Sequence, residues 1–310
     1  MRYYFAPMEG LTDSIYRRLH FECFGGVDTY VMPFYSPSVH RKLTGKEQRE
    51  LPPAGKVPAI PQLLTKDTAD FHWAARLCQD LGYSSVDLNL GCPSGTVVSK
   101  GKGSGMLGDP DHLDAFLDRI FTLSPIPISI KTRLGLRDME EFPEIMDVYN
   151  RYPIQLLTVH PRLRVDFYKH PVRMEGFAYA LAHSKNPLCY NGNLNSLTDI
   201  EAFTRQFPQV DALMLGRGLI GDPGMLTGST AGQVRDFHDR LLEEYTETFG
   251  SARNAMFRLK ENWRYLLHHF ENSEKLGKKL RKATDLQDYR SITREIFDTL
   301  PYLPQLDPDW

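Results

Sequence analysis

The 310-residue sequence lacks any long apolar run, and this absence excludes several classes of protein. No stretch approaches the roughly eighteen consecutive apolar residues of a membrane-spanning helix. Residues 1–30 also contain no apolar signal segment, because charged side chains interrupt them, among them Arg2, Glu9, Asp13, Arg17 and Arg18. We therefore expect a cytoplasmic protein with no membrane partner.

Cysteine is scarce as well. Its four copies stand at positions 23, 78, 92 and 189, without a Cys-x-x-Cys or comparable pair. Such spacing predicts neither a metal site nor a disulfide framework, and it fits a reducing compartment.

Charge is nearly balanced, and a net value of −2 by itself argues against nucleic-acid binding. Its distribution is uneven, because residues 253–295 hold eleven Lys and Arg against six Asp and Glu, whereas residues 1–252 carry a net −4. A basic segment on an acidic chain indicates either a solvated helical face or a surface for a polyanion. No feature of the sequence indicates a protein partner, and we expect a monomer.

Eight short apolar runs alternate with amphipathic stretches through the first two thirds of the chain. The predicted strands are 3–6, 29–32, 59–63, 85–89, 128–131, 156–160, 188–191 and 212–215. This alternation implies a parallel sheet, and eight strands close a (β/α)8 TIM barrel. An open doubly wound sheet is the alternative. Apolar residues at three- and four-residue steps near the C-terminus predict helices instead, so we predict a barrel domain over 1–234 and a small helical domain over 235–310.

The chemistry of the chain is expected at one strand end. Residues 86–90 predict a strand, and Gly91 and Pro93 break it on either side of Cys92. The thiol therefore lies on a glycine-rich loop at the carboxyl end of a parallel strand, where such folds carry their active sites. An incidental cysteine on a surface loop is the alternative.

Polar residues also follow the other predicted strands. Gln62, Asn89 and Lys131 offer donors and acceptors to the edge of a flat ligand such as a flavin, and Lys131 can stabilise negative charge on that ligand. Asn191-Gly192-Asn193 and Gly216-Arg217-Gly218 suit a phosphate, because glycine lets backbone N–H groups approach an anion.

The motif Asn89-Leu-Gly-Cys-Pro93, followed by Val97, Lys100, Gly103-Ser104 and Met106-Leu107, resembles the signature of the tRNA-dihydrouridine synthases. The likeness runs from residue 4 to about residue 226. It implies FMN as cofactor, NADPH as co-substrate and tRNA as partner. The flavin-binding residues that it implies are Pro7, Met8, Gln62, Asn89, Lys131, His160, Asn191, Gly192, Asn193, Gly216 and Arg217. Together with the basic segment it predicts RNA contacts at Lys100, Arg133, Arg162, Arg164, Arg253, Lys260, Arg264, Lys278 and Lys279.

Three positions depart from the family pattern. Asn193 stands where the family commonly has an acidic residue, and Pro161 interrupts the usual His-Gly-Arg. The segment Ser94-Gly-Thr96 lacks the basic residues that some members carry after Cys-Pro. The first two leave the predicted cysteine and flavin contacts in place, whereas the third leaves the target uridine open.

Cys92 is predicted to act as a general acid. A thiol with an ordinary pKa of about 8.5 is mostly protonated near neutrality, and no histidine neighbours this one in sequence. In the family that the chain resembles, NADPH reduces FMN, the flavin N5 delivers hydride to C6 of uridine, and the cysteine protonates C5.

Three other functions fit parts of the sequence. An FMN-dependent reductase of free pyrimidines or dihydroorotate-type substrates keeps the same barrel but leaves the basic segment unused. A non-redox aldolase or isomerase would use Lys131 for a Schiff base. An RNA-binding protein without chemistry would need no thiol on a glycine-rich loop.

Overall fold

The structure is a computed structural model that describes residues 1–38 and 40–304. Nine strands occur in these residues: β1 (Arg2–Phe5), β2 (Thr29–Val31), β3 (Ala59–Ile60), β4 (Gln62–Leu63), β5 (Val86–Leu90), β6 (Ile128–Thr132), β7 (Leu157–Val159), β8 (Leu188–Tyr190) and β9 (Ala212–Leu215). They form one sheet in the order β3-β2-β1-β9-β8-β7-β6-β5-β4. All eight predicted strands are present, and the prediction of a TIM barrel is confirmed.

Pro61 divides the third predicted strand into β3 and β4. Proline has no N–H to donate to a sheet, so the regular ladder is interrupted at this residue. The segment still pairs on both sides: the Ile60 carbonyl accepts the Met32 N–H at 3.0 Å, and the Pro61 carbonyl accepts the Asp87 N–H at 2.8 Å. The two ends of the sheet order are therefore consecutive pieces of one strand, and the chain itself closes the barrel.

Thirteen α-helices occur in the described part of the chain. They are α1 (Ser14–Cys23), α2 (Gly45–Glu50), α3 (Thr68–Asp80), α4 (Gly95–Val98), α5 (Pro110–Leu123), α6 (Phe142–Tyr149), α7 (Met174–His183), α8 (Leu197–Gln206), α9 (Arg217–Gly221), α10 (Ala231–Phe249), α11 (Ala252–Leu266), α12 (Glu274–Lys282) and α13 (Leu286–Thr299). Helix α5 begins as its sequence predicts, because Asp109 accepts the His112 N–H at 3.0 Å and Pro110 opens the first turn.

The chain divides into two compact units. Unit 1 contains Met1–Pro7, Thr29–Asn193 and Gln209–Met214, and unit 2 contains Met8–Asp28, Leu194–Pro208 and Leu215–Trp310. The predicted domain boundary at residue 234 stays a prediction. The division of roles between a flavin domain and an RNA domain stays a prediction.

In unit 1 the barrel interior is filled by a cluster of buried, mostly apolar side chains: Tyr4, Ala6, Val31, Leu156, Cys189, Ala212 and Met214. Leu156 and Cys189 lie two residues before Thr158 and Asn191 on their segments, so the strand period directs all four side chains into the barrel. The apolar cluster therefore forms a floor, and polar side chains lie nearer the carboxyl ends of the strands.

In unit 2 the helices α10, α11 and α13 share a core around Tyr289. Its hydroxyl accepts the Trp263 Nε1–H at 2.9 Å and lies 2.7 Å from His238 Nε2. Met256, Leu259, Trp263 and Leu266 are buried on one face of α11, as their spacing predicts. Among the described helices, none is both long and apolar enough to span a membrane.

Candidate active site

Polar side chains line the carboxyl ends of the central strands of unit 1. The strand register pairs Gln62 with Asp87 and Asn89 with Lys131, and His160 and Asn191 follow β7 and β8. Because residues two apart face the same side of a strand, these side chains point into the same end of the barrel. The structure thus brings together the predicted residues Gln62, Asn89, Lys131, His160 and Asn191.

A chain of hydrogen bonds connects this rim to the cysteine loop. Asn89 Nδ2 donates to Gln62 Oε1 at 2.8 Å. Asn89 Oδ1 in turn accepts the N–H groups of Gly91 at 3.1 Å and Cys92 at 2.9 Å. The backbone on which the thiol sits is therefore held by an amide that also lines the rim.

Ser104 holds the cysteine loop from its other side. The Cys92 carbonyl accepts both the Ser104 hydroxyl at 2.8 Å and the Ser104 N–H at 3.2 Å. Gly103 has a φ of +57°, and a side chain there would come within 3.1 Å of the Cys92 Cβ and 2.9 Å of Val97. Glycine is needed at this position both for its backbone conformation and for the close packing of the loop.

The Cys92 thiol is half-buried and reduced. In the described residues its sulfur makes no hydrogen bond to another protein group, and no base is paired with it. An activated nucleophile needs such a base or a strong positive field. Lys131 and Arg133 both interact electrostatically with Cys92, so the role of the thiol as a proton donor stays a prediction.

Lys131 is the basic group of this rim. Burial and the nearby Arg133 lower the pKa of its ammonium to about 8, and Asp87 partly opposes this shift. The ammonium donates no hydrogen bond to any protein group in the described part of the chain. An ammonium left unpaired at a half-buried rim is suited to an anionic ligand.

His160 and Arg162 are buried and form a second cluster with the half-buried Asn193. The Arg162 guanidinium lies 3.0 Å from His160 Nε2, donates to Asn193 Oδ1 at 3.1 Å and donates to the His170 carbonyl at 2.7 Å. Asn193 supplies a neutral acceptor where the family pattern has an acid. The Arg162 guanidinium therefore bridges the histidine that follows β7 and the asparagine that follows β8.

Arg133, a predicted RNA-binding residue, is buried and does not lie on the surface. Its side chain is only 1% exposed and donates to the carbonyls of Gly91, Leu163 and Phe167 at 2.9, 2.9 and 3.0 Å. The residue ties the cysteine loop to the loop after β7, and Arg162 is buried as well. The role of both in RNA binding stays a prediction that this burial does not support.

Two exposed aromatic residues in the loop after β7 were not among the site residues predicted from the sequence. Phe167 is 39% exposed and Tyr168 is 59% exposed. The Arg164 guanidinium lies 5.4 Å from the Phe167 ring, and the Arg133 guanidinium lies 5.4 Å from the Tyr168 ring. Aromatic residues that follow a His-x-Arg-x-Arg segment at a strand end are the signal that would have identified them.

The remaining residues predicted to contact the flavin are divided between unit 1 and unit 2. Any side chain at Gly192 would collide with the Tyr190 hydroxyl, so glycine is required there by packing. In unit 2, the Met8 N–H donates to the Thr12 hydroxyl at 2.9 Å, and Gly216 and Arg217 begin α9. Pro7 belongs to unit 1. Their contacts with a flavin stay predictions.

Most of the predicted RNA-binding residues are exposed: Lys100, Arg253, Arg264, Lys278 and Lys279. Lys260 is half-buried, and its ammonium donates to the carbonyls of Arg281 and Ala283, both at 2.7 Å. It therefore caps the C-terminus of α12 rather than facing solvent freely. Arg164 is half-buried against Phe167.

The rim of unit 1 fits the pyrimidine edge of a flavin. Gln62 and Asn89 present amide donors and acceptors, and Lys131 presents an unpaired ammonium. In the described residues no group of His, Cys, Asp and Glu could hold a metal ion. The donor set is suited to a planar, hydrogen-bonding cofactor that can carry negative charge.

Comparison with known proteins gives concordant results. A family model described as dihydrouridine synthase matches residues 4–300. A probable tRNA-dihydrouridine synthase of Rhizobium leguminosarum is 30% identical over 247 residues, which are 77% of this chain and 76% of that protein. The tRNA-dihydrouridine(16) synthase of Pseudomonas putida is 30% identical over 300 residues, covering 90% of this chain and 92% of that protein.

A solved structure of a morphinone reductase variant in complex with tetrahydroNAD shares the fold. It is 11% identical, with a TM-score of 0.50, and the match covers 72% of this chain and 85% of that chain.

Proposed function

Because the chain belongs to the dihydrouridine synthase family, we propose that it reduces a uridine of tRNA to 5,6-dihydrouridine, using bound FMN and NADPH. The observation that carries the proposal is the geometry around Cys92. A thiol without a paired base is fixed by Asn89, which also lines a rim suited to a flavin. The overall reaction consumes one NADPH and one proton for each base reduced.

The residues of unit 1 have distinct roles in this proposal. When bound, FMN supplies the hydride that goes to C6 of the base. Gln62 and Asn89 orient the pyrimidine edge of the flavin through hydrogen bonds, and Lys131 balances its negative charge. His160, positioned by Arg162, completes the predicted flavin contacts.

Cys92 supplies the second hydrogen of the product. Its Sγ–H gives a proton to C5, which balances the hydride added at C6. The Asn89 amide and Ser104 hold the backbone of Cys92 from both sides, so the residue that carries the thiol stays in place while the substrate binds. A fixed donor is what general acid catalysis requires.

The uridine must leave its stack to reach the rim, which costs a few kcal/mol. We propose that Phe167 and Tyr168 offset part of this cost by stacking against exposed bases. Stacking on an aromatic side chain contributes about 1–3 kcal/mol per base in single-stranded nucleic-acid complexes. The Arg164 guanidinium beside the Phe167 ring adds charge complementary to the phosphates.

We further propose that the target is the uridine at position 16 of tRNA. The P. putida relative named for that position matches 90% of this chain, so the likeness extends into the C-terminal helices. Those helices carry the basic segment that we expect to orient the RNA on the enzyme.

The experiment that tests this function is the mapping of dihydrouridine in tRNA. Purified protein with FMN and NADPH should convert uridine to dihydrouridine in tRNA lacking the modification, and mass spectrometry should locate it at position 16. Modification at another position would overturn the positional assignment alone. Reduction of free uracil or orotate with no action on tRNA would instead support a reductase of small pyrimidines.

A further inference from the structure

Asp87 is a buried carboxylate for which the proposed reaction has no use. It lies on β5, directly beneath Asn89, and is only 2% exposed. Gln62 Nε2 donates to its Oδ2 at 2.8 Å, and the Ser129 hydroxyl donates to its Oδ1 at 2.7 Å. Burial raises the pKa of this carboxyl to about 6, against the opposing effect of both hydrogen bonds and of Lys131, so the group is mostly ionised at neutral pH. Burying an ionised group is costly, and here two hydrogen bonds and the nearby Lys131 offset part of that cost.

The contacts of Asp87 determine how the neighbouring amide is oriented. An amide side chain can be turned by half a rotation, which exchanges its donor and acceptor ends. An ionised carboxylate only accepts, so Gln62 must turn its NH2 group toward Asp87. Its Oε1 then faces Asn89, which donates to it.

The other end of the chain of hydrogen bonds imposes the same orientation. The N–H groups of Gly91 and Cys92 can only donate, so Asn89 must turn its oxygen toward them. An acceptor-only group at one end and donor-only groups at the other leave one consistent arrangement of both amides. Each NH2 group keeps one hydrogen for a ligand, because among the described residues each makes only one hydrogen bond.

We propose that Asp87 is a positioning residue that fixes the Gln62 and Asn89 amides in the orientation that binds the flavin. The inference rests on the proposed function, because the flavin is the ligand that these amides would meet. Asp87 acts through Gln62 and does not touch the flavin or the substrate. Its negative charge also lies near Lys131 and helps to keep that ammonium protonated.

The test is the affinity of the apoprotein for FMN, measured by quenching of flavin fluorescence. Asp87→Asn has the same shape but can also donate, so only the hydrogen bond from Asn89 still opposes the reversed orientation of Gln62, which becomes more populated. We expect FMN to bind about tenfold more weakly, which corresponds to about 1.4 kcal/mol. Ser129→Ala removes a hydrogen bond that keeps the pKa of Asp87 from rising further, so more of the carboxyl becomes protonated and able to donate, and we expect a loss of about threefold. This second variant keeps the test available if Asp87→Asn does not fold.

Asp222→Asn is the matched control. Asp222 is a buried carboxylate that accepts the Gly224 N–H at 3.2 Å and the Tyr302 hydroxyl at 3.0 Å. This control should lower the thermal stability of the apoprotein and leave the FMN affinity unchanged.

A double-mutant cycle separates positioning from a general loss of structure. Asp87→Asn should weaken FMN binding no further when Gln62 is already Leu, because the residue acts through the Gln62 amide. Unchanged affinity in the Asp87→Asn variant would overturn the inference, as would an equal further loss in the Gln62→Leu background. Wild-type protein that binds FMN would still support the proposed function in both of these cases, whereas wild-type protein that binds no FMN would overturn both proposals.

Discussion

The role of a single side chain is clearest at Cys92. Its sulfur has no paired base among the described residues, while its backbone is bonded at both the N–H and the carbonyl. A cysteine held in this way can donate a proton without first being activated as a nucleophile. Neither flavin binding nor flavin reduction by NADPH requires such a donor.

Cys92→Ala should therefore separate the two half-reactions. We expect normal FMN affinity and normal reduction by NADPH, with reoxidation by tRNA slower by about 10²–10⁴. Stopped-flow absorbance of the flavin measures both steps. Cys92→Ser should recover little, because a hydroxyl is a far weaker acid, and Cys23→Ala serves as the control. Reoxidation of Cys92→Ala at the wild-type rate would mean that another group supplies the proton.

Lys131 gives a prediction that depends on pH. The pKa of its ammonium is about 8 in the folded protein, below the ordinary 10.5, so the positive charge is lost as the pH rises through 8. We expect FMN affinity to fall over this range, because the anionic cofactor loses its partner. Lys131→Met should bind FMN weakly at every pH, without the fall in affinity near pH 8. The control variant, Lys185→Met at an exposed position, should show the same pH dependence of FMN affinity as the wild type. Fluorescence titrations from pH 6 to pH 10 measure the affinity, and a wild-type affinity that does not change over this range would contradict the assignment.

The same lowered pKa has a consequence for the apoprotein. Because the folded value lies below the unfolded one, burying the ammonium destabilises the fold below about pH 8, and this cost disappears as the pH rises toward the unfolded pKa. Lys131→Met apoprotein should therefore be more stable than the wild type at neutral pH, and chemical denaturation should show the difference shrinking at alkaline pH.

At the scale of elements, one hydroxyl connects three helices of unit 2. The Tyr289 hydroxyl bonds to Trp263 on α11 and to His238 on α10. Tyr289→Phe leaves both of these buried polar groups without that partner, and we expect the free energy of unfolding to fall by about 1–3 kcal/mol. Urea denaturation measures the change. Tyr179→Phe on α7 removes a hydroxyl that bonds to no described protein group and should have little effect; equal losses in the two variants would contradict the prediction.

The fold and much of the rim could be predicted from the sequence, because both depend on local sequence patterns. Short apolar runs predict the strands, and strand ends in a barrel share one rim, which places Gln62, Asn89 and Lys131 together. The position of Arg133 could not be predicted, because the sequence does not show that an arginine after a strand will donate to three backbone carbonyls instead of facing solvent. Asp87 and Tyr168 were missed because their significance depends on neighbours that are distant in sequence.

At the scale of the whole molecule, the uneven distribution of charge decides where a polyanion is attracted. The chain carries −2 overall, yet the exposed face of α12 presents Lys275, Lys278, Lys279, Arg281 and Lys282. The short-range field of such a cluster persists on a nearly neutral protein, because salt screens charges beyond about 8–10 Å.

Lys278→Ala combined with Lys279→Ala should weaken tRNA binding. We expect the slope of log affinity against log salt to become shallower by up to about 0.9 for each phosphate that the protein no longer neutralises. Filter binding at several salt concentrations measures the slope. Replacing the exposed Lys46 and Arg49 of α2 by Ala removes the same charge elsewhere and controls for net charge; an identical effect of both pairs would mean that α12 makes no specific contact. Flavin reduction by NADPH should be unaffected.

The covalent closure of the barrel at Pro61 also bears on how the protein behaves when it is concentrated. A sheet normally ends in strands whose free N–H and C=O groups can template the addition of a further strand, which is a common route to aggregation. Here the two terminal strands are β3 and β4, each only two residues long and joined through a residue with no N–H. The described sheet therefore offers no edge long enough to recruit a strand from another copy, and strand addition at the barrel is blocked without any dedicated protective charge.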